Sequence, residues 1–235
     1  MILIVSSFVI FLYITASLFL FSSCRSSIKW LSIALLFIIS QKYVLYEHLG
    51  GAFFAPAFPR PFLLLMEALY GAMIVFFLML LLKDALMPIL WTIRRFGVSW
   101  GLPFPPDAFK AGLAMLALGF GVWGTWQSVR VPDIRTVELR LPSLPKSLDG
   151  FSIVQLTDTH IGPLLKKEWL QQVVDKANSS SPDLIALTGD YIDGTVAALR
   201  EEVTPFAGLR AKYGVYGVTG NHEYYWGAAE WSALM

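Results

Sequence analysis

The sequence predicts two regions of different class: a multipass α-helical membrane region over residues 1–130, then an α/β unit over residues 131–235. Three observations lead there. The chain is 56% hydrophobic with a mean hydropathy of +0.59, more apolar than an ordinary soluble domain. Its charge is divided: residues 1–129 hold eight Lys/Arg and four Asp/Glu, residues 130–235 ten and thirteen. Near Val131 long apolar runs give way to short ones that alternate with helical patterns. Neither half clusters Lys/Arg as a nucleic-acid surface does, so no nucleic-acid partner is expected.

Crossing a hydrocarbon core about 30 Å thick takes about 20 apolar residues of helix. Four runs reach that length. Residues 2–21 carry no charge, no basic leader and no cleavage signal, so a retained helix is expected rather than a signal peptide. Residues 28–46 carry Lys29 and Lys42 near their ends, where both can snorkel to the interface. Residues 62–82 hold one acid, Glu67, in their first two turns, and residues 111–129 hold Gly112, Gly119, Gly121 and Gly124, which suit close helix packing. Residues 86–106, with Trp91, Trp100, Arg94 and Arg95 and then Pro103, Pro105 and Pro106, read as an interfacial segment followed by a stiff turn. Cys24 is the single cysteine, so no intrachain disulfide can form. Arg25 and Lys29 in the first loop, and Lys83, Arg94, Arg95 and Lys110 in the third, assign those loops to the cytoplasm. The expectation is a cell-membrane protein, with the bilayer as partner and its C-terminal half on the extracytoplasmic side.

From Val131 the reading is strand by strand. Residues 131–145 alternate and contain prolines, as an edge strand and connector would. Strands are expected at 151–156, 184–187 and 215–219, and helices at 166–178 and 199–212. Strand–helix–strand order implies a parallel sheet with right-handed crossovers. Each apolar strand ends in a polar cluster: TDTH, TGD and TGNHE. In open α/β sheets, sites gather outside the carboxyl ends of the strands.

The residue types in these clusters suit a metal. Asp158 and His160, at i and i+2, would project to one side of an extended chain as a chelating pair. Asp190 enters from the next strand, and a carboxylate can bridge two cations. Asn221 offers a neutral carbonyl oxygen, and His222 stands close enough to act on whatever the metals hold. Asp193 and Glu223 suit acceptors that fix a histidine or a water. An O/N donor set without thiolate favours Mn, Fe or Zn. Two such ions about 3.5–4 Å apart stabilise an in-line displacement at phosphorus through metal-activated hydroxide.

D-T-H at 158–160, G-D-Y-I-D at 189–193 and G-N-H-E at 220–223 resemble, in order, the first three motifs of the calcineurin-like metallophosphoesterase superfamily. The lead-in LPKSLDGFSIVQLTDTHIG is similar to that of its membrane-anchored bacterial branch. The resemblance implies a four-layer β-sandwich domain, of which residues 131–235 would supply the first half. It implies two divalent ions, with Asp158 and His160 on the first, Asp190 bridging, Asn221 on the second, and His222 catalytic. It also implies further histidine ligands from a later G-H and G-H-x-H. The chain has only His48, His160 and His222, so a truncated chain is expected. The function implied is hydrolysis of a phosphomonoester, phosphodiester or pyrophosphate at a membrane surface, lipid-linked phosphates among them. The alternative is a non-catalytic membrane scaffold or binding module with a degenerate phosphoesterase half.

Overall fold

The computed structural model describes residues 2–19, 25–96 and 106–235. Cys24 and residues 97–105 of the expected stiff turn lie outside the described residues. The chain divides into two compact units, Met1–Ser128 and Val129–Met235.

The first unit is helical: α1 (Ile2–Phe19), α2 (Ser26–Ser40), α3 (Lys42–Leu49), α4 (Arg60–Arg95) and α5 (Pro106–Val129). α1, α2 and α4 pack on one another around Ile14, Ile39, Met73, Phe76 and Leu80. Their outer faces are apolar too, with Leu31, Leu65 and Leu82 all more than half exposed. A helix apolar all round is either core or a membrane span. Among the described residues, three helices are long and apolar enough to cross a membrane, or four if the bent pair α2–α3 is one span.

Three features depart from the sequence reading. Residues 28–46 are not one helix: the chain bends by 58° between α2 and α3. Lys42, expected to snorkel outward, turns inward instead. Its ammonium lies 2.5 Å from Glu67 Oε2, with its side chain 7% exposed, and rests against the rings of Tyr43, Tyr46 and Tyr70. Hydropathy does not register that a lysine and an acid twenty-five residues apart can neutralise each other. Third, no separate interfacial segment begins at residue 86. α4 runs through Pro88 to Arg95, and Thr92 Oγ1 bonds the Pro88 carbonyl at 2.9 Å. A proline removes one helical hydrogen bond, and the strong helix formers around it carry the helix on. Of the four α5 glycines, only Gly121 meets a neighbouring helix closely: a Cβ there would stand 2.3 Å from the Ala68 carbonyl. Gly112, Gly119 and Gly124 face open space.

The second unit holds a three-stranded parallel sheet in the order β1 (Ile153–Leu156), β2 (Leu184–Leu187), β3 (Val215–Gly217). Ile153 pairs with Leu184, and Ile185 with Val215. Between β1 and β2 lies α6 (Lys167–Ser179), whose Leu170, Val173, Val174 and Ala177 recur at helical spacing and are buried. Leu170, Val174 and Ala177 join Ile161, Ile185, Ile192 and Trp231 in the core.

The helix expected at 199–212 does not form. One turn, α7 (Val196–Leu199), is followed by a 3-10 turn at Thr204–Gly208. Pro205 explains the break: without an N–H it cannot continue a helix, yet it suits the first turn of a new one. No strand forms over residues 131–141 either. Side chains hold that segment: Lys176 Nζ donates to the Pro132 carbonyl at 2.6 Å and to Asp133 at 2.9 Å. After β3 the chain folds into α8 (Asn221–Trp226) and α9 (Ala228–Leu234).

The strand entrances are tied by Asp183, whose Oδ2 accepts the Ser152 amide at 2.9 Å and its hydroxyl at 3.1 Å. These bonds hold its carboxyl below the usual carboxylate value. A group so depressed adds stability above its unfolded-state pKa, about 3.9, and loses it as pH falls through the folded value. Asp183→Asn is therefore expected to lower the thermal midpoint at pH 7 and to narrow the difference between midpoints at pH 7 and pH 3. A difference equal to that of the wild type would remove Asp183 as a contributor.

Candidate metal centre

The three polar clusters lie beyond the C-terminal ends of the three strands, as topology requires. The first two loops keep pairing after the sheet ends. The Asp158 amide donates to the Gly189 carbonyl (3.1 Å), His160 to Asp190 (3.1 Å) and Ile161 to Tyr191 (2.8 Å). In return the Asp193 amide donates to the Ile161 carbonyl at 2.8 Å. Asp158 and His160 are not extended, as the i, i+2 reading assumed. Their φ angles are +53° and +42°, and that of Asp190 is +54°. Among described non-glycine residues only Ser181 shares this left-handed region. Such conformations cost roughly 1–3 kcal/mol each and concentrate at functional sites.

Two glycines allow the second and third loops to touch. Gly189 has φ +93°, and a Cβ on it would stand 2.4 Å from the Gly220 nitrogen. A Cβ on Gly220 would stand 2.1 Å from Asp190 Oδ1. Across this contact the His222 amide donates to Asp190 Oδ1 at 3.0 Å.

These contacts gather His160, Asp190 and His222, whose potential ligand atoms all lie within 4.8 Å of one another. Asp193 links the two histidines. Its Oδ1 is 2.6 Å from His222 Nδ1 and 3.1 Å from His160 Nδ1, and the rings meet edge to face at 4.4 Å. A carboxylate on one imidazole nitrogen orients the ring and leaves the other nitrogen to ligate. The Asp193 bond also holds the His160 pKa above its ordinary value, against the opposing effect of burial.

The other expected residues are placed differently. Asp158 Oδ1 lies 3.7 Å from His160 Nε2, while its Oδ2 accepts the Thr157 hydroxyl at 2.6 Å, outside the three-residue group. Asn221 is exposed at the first position of α8. Glu223 accepts three backbone amides: those of Asp190 (3.0 Å), Tyr191 (2.7 Å) and Gly220 (2.6 Å). Tyr191 was not singled out in the sequence. It is buried, and its hydroxyl reaches the carbonyls of Leu187 and Val218 at the ends of β2 and β3. An aromatic between two motif acids was the available signal.

The donor set fits a divalent cation: two imidazoles and a carboxylate converge without thiolate, on loops in conformations that the surrounding bonds enforce.

Comparison with known proteins finds similarity over the segment that carries this geometry. Residues 151–234 match the family model described as calcineurin-like phosphoesterase. The chain is 35% identical over 115 residues to a transmembrane protein with metallophosphoesterase domain from Danio rerio, covering 48% of the chain and 26% of that protein. It is 35% identical over 130 residues to one of the same description from Bos taurus, covering 54% and 29%. An uncharacterized metallophosphoesterase from Helicobacter pylori is 31% identical over 118 residues, covering 50% and 31%. The matched segment thus spans under a third of the length of these relatives. No solved structure matches the chain. The three loops and their converging side chains lie within residues 151–234, the segment that matches the calcineurin-like phosphoesterase model.

Proposed function

We propose that the chain is a multipass membrane protein whose C-terminal unit serves a metal-dependent phosphoesterase of four-layer fold. It hydrolyses a phosphomonoester, phosphodiester or pyrophosphate at a membrane surface. The observation that carries this reading is the convergence of His160, Asp190 and His222 at the ends of three parallel strands inside a family domain. His160 and Asp190 would hold divalent cations, with Asp158 and Asn221 as further donors, and Mn, Fe or Zn suits the set. When bound, two such ions neutralise phosphoryl oxygens and acidify water. Asp193 keeps the His160 and His222 rings oriented by its single shared oxygen. His222, beside Asp190, is the group to protonate a leaving alkoxide.

The membrane part of the reading draws on the apolar helices and on two polar levels along α4. At one, Glu67 accepts Lys42 and Tyr46. At the other, Asp84 accepts Tyr13 at 2.7 Å and Ser17 at 3.1 Å. Residues 67 and 84 on one helix are about 25 Å apart at 1.5 Å per residue, close to the thickness of a hydrocarbon core. The names of the vertebrate relatives also describe transmembrane proteins. Lys/Arg bias favours an extracytoplasmic catalytic unit, where lipid-linked phosphates are within reach; protease cleavage of that unit in intact cells tests the side.

The function is tested, in a protein that also carries the later G-H and G-H-x-H motifs, by Mn-dependent hydrolysis of bis-(p-nitrophenyl) phosphate. His222→Ala is expected to lower the rate by roughly 10²–10⁴-fold, the range for a positioned proton donor, and Asp190→Asn to lower it by weakening metal binding. Equal rates in wild type and both variants would overturn the mechanism. Mn binding without hydrolysis would favour the scaffold reading instead.

A further inference from the structure

We infer that Glu223 is a positioning residue that holds Asp190 in its metal-facing conformation, an assignment that rests on the phosphoesterase reading. Glu223 is 1% exposed, at the third position of α8. A carboxylate buried this deeply must have its oxygens satisfied. Oε2 accepts the amides of Gly220 and Asp190, and Oε1 accepts that of Tyr191. The Gly220 bond is the ordinary reach-back of a capping box, in which an acid or amide at N3 satisfies the N-cap amide. The other two amides belong to the loop after β2, so the cap of α8 doubles as a clamp on another loop.

The need for that clamp follows from the sheet. Among the described residues, the last backbone–backbone bond between the continuations of β2 and β3 runs from the Val218 amide to the Leu187 carbonyl, at 3.0 Å. Past it, the amides of Asp190, Tyr191 and Gly220 converge, and donors cannot bond one another. A carboxylate supplies what is missing: two oxygens that accept several N–H groups, with the strength of an ionised acceptor. The exchange is reciprocal, since Asp190 Oδ1 accepts the His222 amide from the same helix. Asp190, at φ +54°, is in a conformation that an aspartate leaves unless outside bonds retain it. Without the Glu223 bonds its backbone relaxes and carries the carboxylate away from His160 and His222.

The test uses the full chain in detergent, with Mn²⁺ alone as probe. E223Q keeps the helix cap, because glutamine serves equally at N3, but it has one acceptor oxygen and leaves part of the clamp unmade. E223D keeps the charge and draws the carboxylate back by one methylene. In both, Mn²⁺ affinity by calorimetry is expected to fall roughly 10–100-fold. Hydrogen exchange should rise at the amides of residues 190 and 191 while α6 stays protected. Wild-type Mn²⁺ affinity in either variant overturns the assignment. So does unchanged exchange at 190 and 191, or exchange rising throughout residues 129–235, which marks a purely structural role. A wild-type chain that binds no Mn²⁺ overturns the phosphoesterase reading itself, and the positioning role with it.

Discussion

Gly220→Ala is expected to reduce Mn²⁺ affinity by roughly 100-fold, the upper end for disturbing the support of a metal ligand. The cause is space alone. Gly220 has φ −97°, which alanine adopts freely, so backbone strain does not enter. A Cβ there would stand 2.1 Å from Asp190 Oδ1 and 2.5 Å from the Asp190 nitrogen, inside any van der Waals contact. Either the loop after β3 retreats, breaking the His222 amide bond to Asp190, or Asp190 itself moves. Overpacking of this kind costs typically 1–3 kcal/mol, so the unit should still fold, with a lowered melting temperature. Gly208→Ala is the control. Its Cβ would meet Val174 Cγ1 at an ordinary 3.5 Å, and Mn²⁺ affinity should not change. If calorimetry gives Gly220→Ala the affinity of the control, the close approach of the two loops does not set the site.

The second large effect is in the helical unit. Lys42→Ala leaves Glu67 as a partly buried charge without its ammonium, and Glu67→Ala strands an ammonium that is 7% exposed. Removing one partner of a buried pair costs roughly 3–5 kcal/mol, whereas replacing both with apolar residues of similar volume is often neutral. Lys42→Met with Glu67→Leu should therefore unfold closer to wild type than either single alanine variant, measured on the full chain in detergent. Tyr46 donates to Glu67 at 3.2 Å, and the double variant leaves that hydroxyl unpartnered, so recovery should fall short of complete. Additive losses in the double variant would show that the pair is not coupled.

Different residues were legible to different degrees. The periodicity of Leu170, Val173, Val174 and Ala177 announces α6 because helix formation there depends on local spacing and a single buried face. The apolar run Leu184–Leu187 marks β2 for a similar local reason: a central parallel strand reads as a continuous apolar run. Failures came where long-range partners decide. Residues 131–141 alternate as a strand would, yet they form no ladder. Pro205 divides what composition alone presents as one helix between 199 and 212. His160, Asp190 and His222 could be named as candidates from residue type and from following apolar strands. That Asp193 serves both histidines through one oxygen could not, nor that Glu223 accepts the amides of another loop.

By itself the sequence determined the chemistry on offer: long apolar runs before Val131, and after it three short strands each delivering acids, amides or histidines at its carboxyl end. Those properties follow from residue type and nearest neighbours along the chain. The tertiary structure alone decided direction and pairing. It turned Lys42 inward to Glu67, brought Gly189 against Gly220, and held Asp158, His160 and Asp190 at positive φ. The reason is physical: a buried charge, a missing Cβ or a strained backbone angle is stabilised only by groups far away in sequence, and those meet only once the chain has folded.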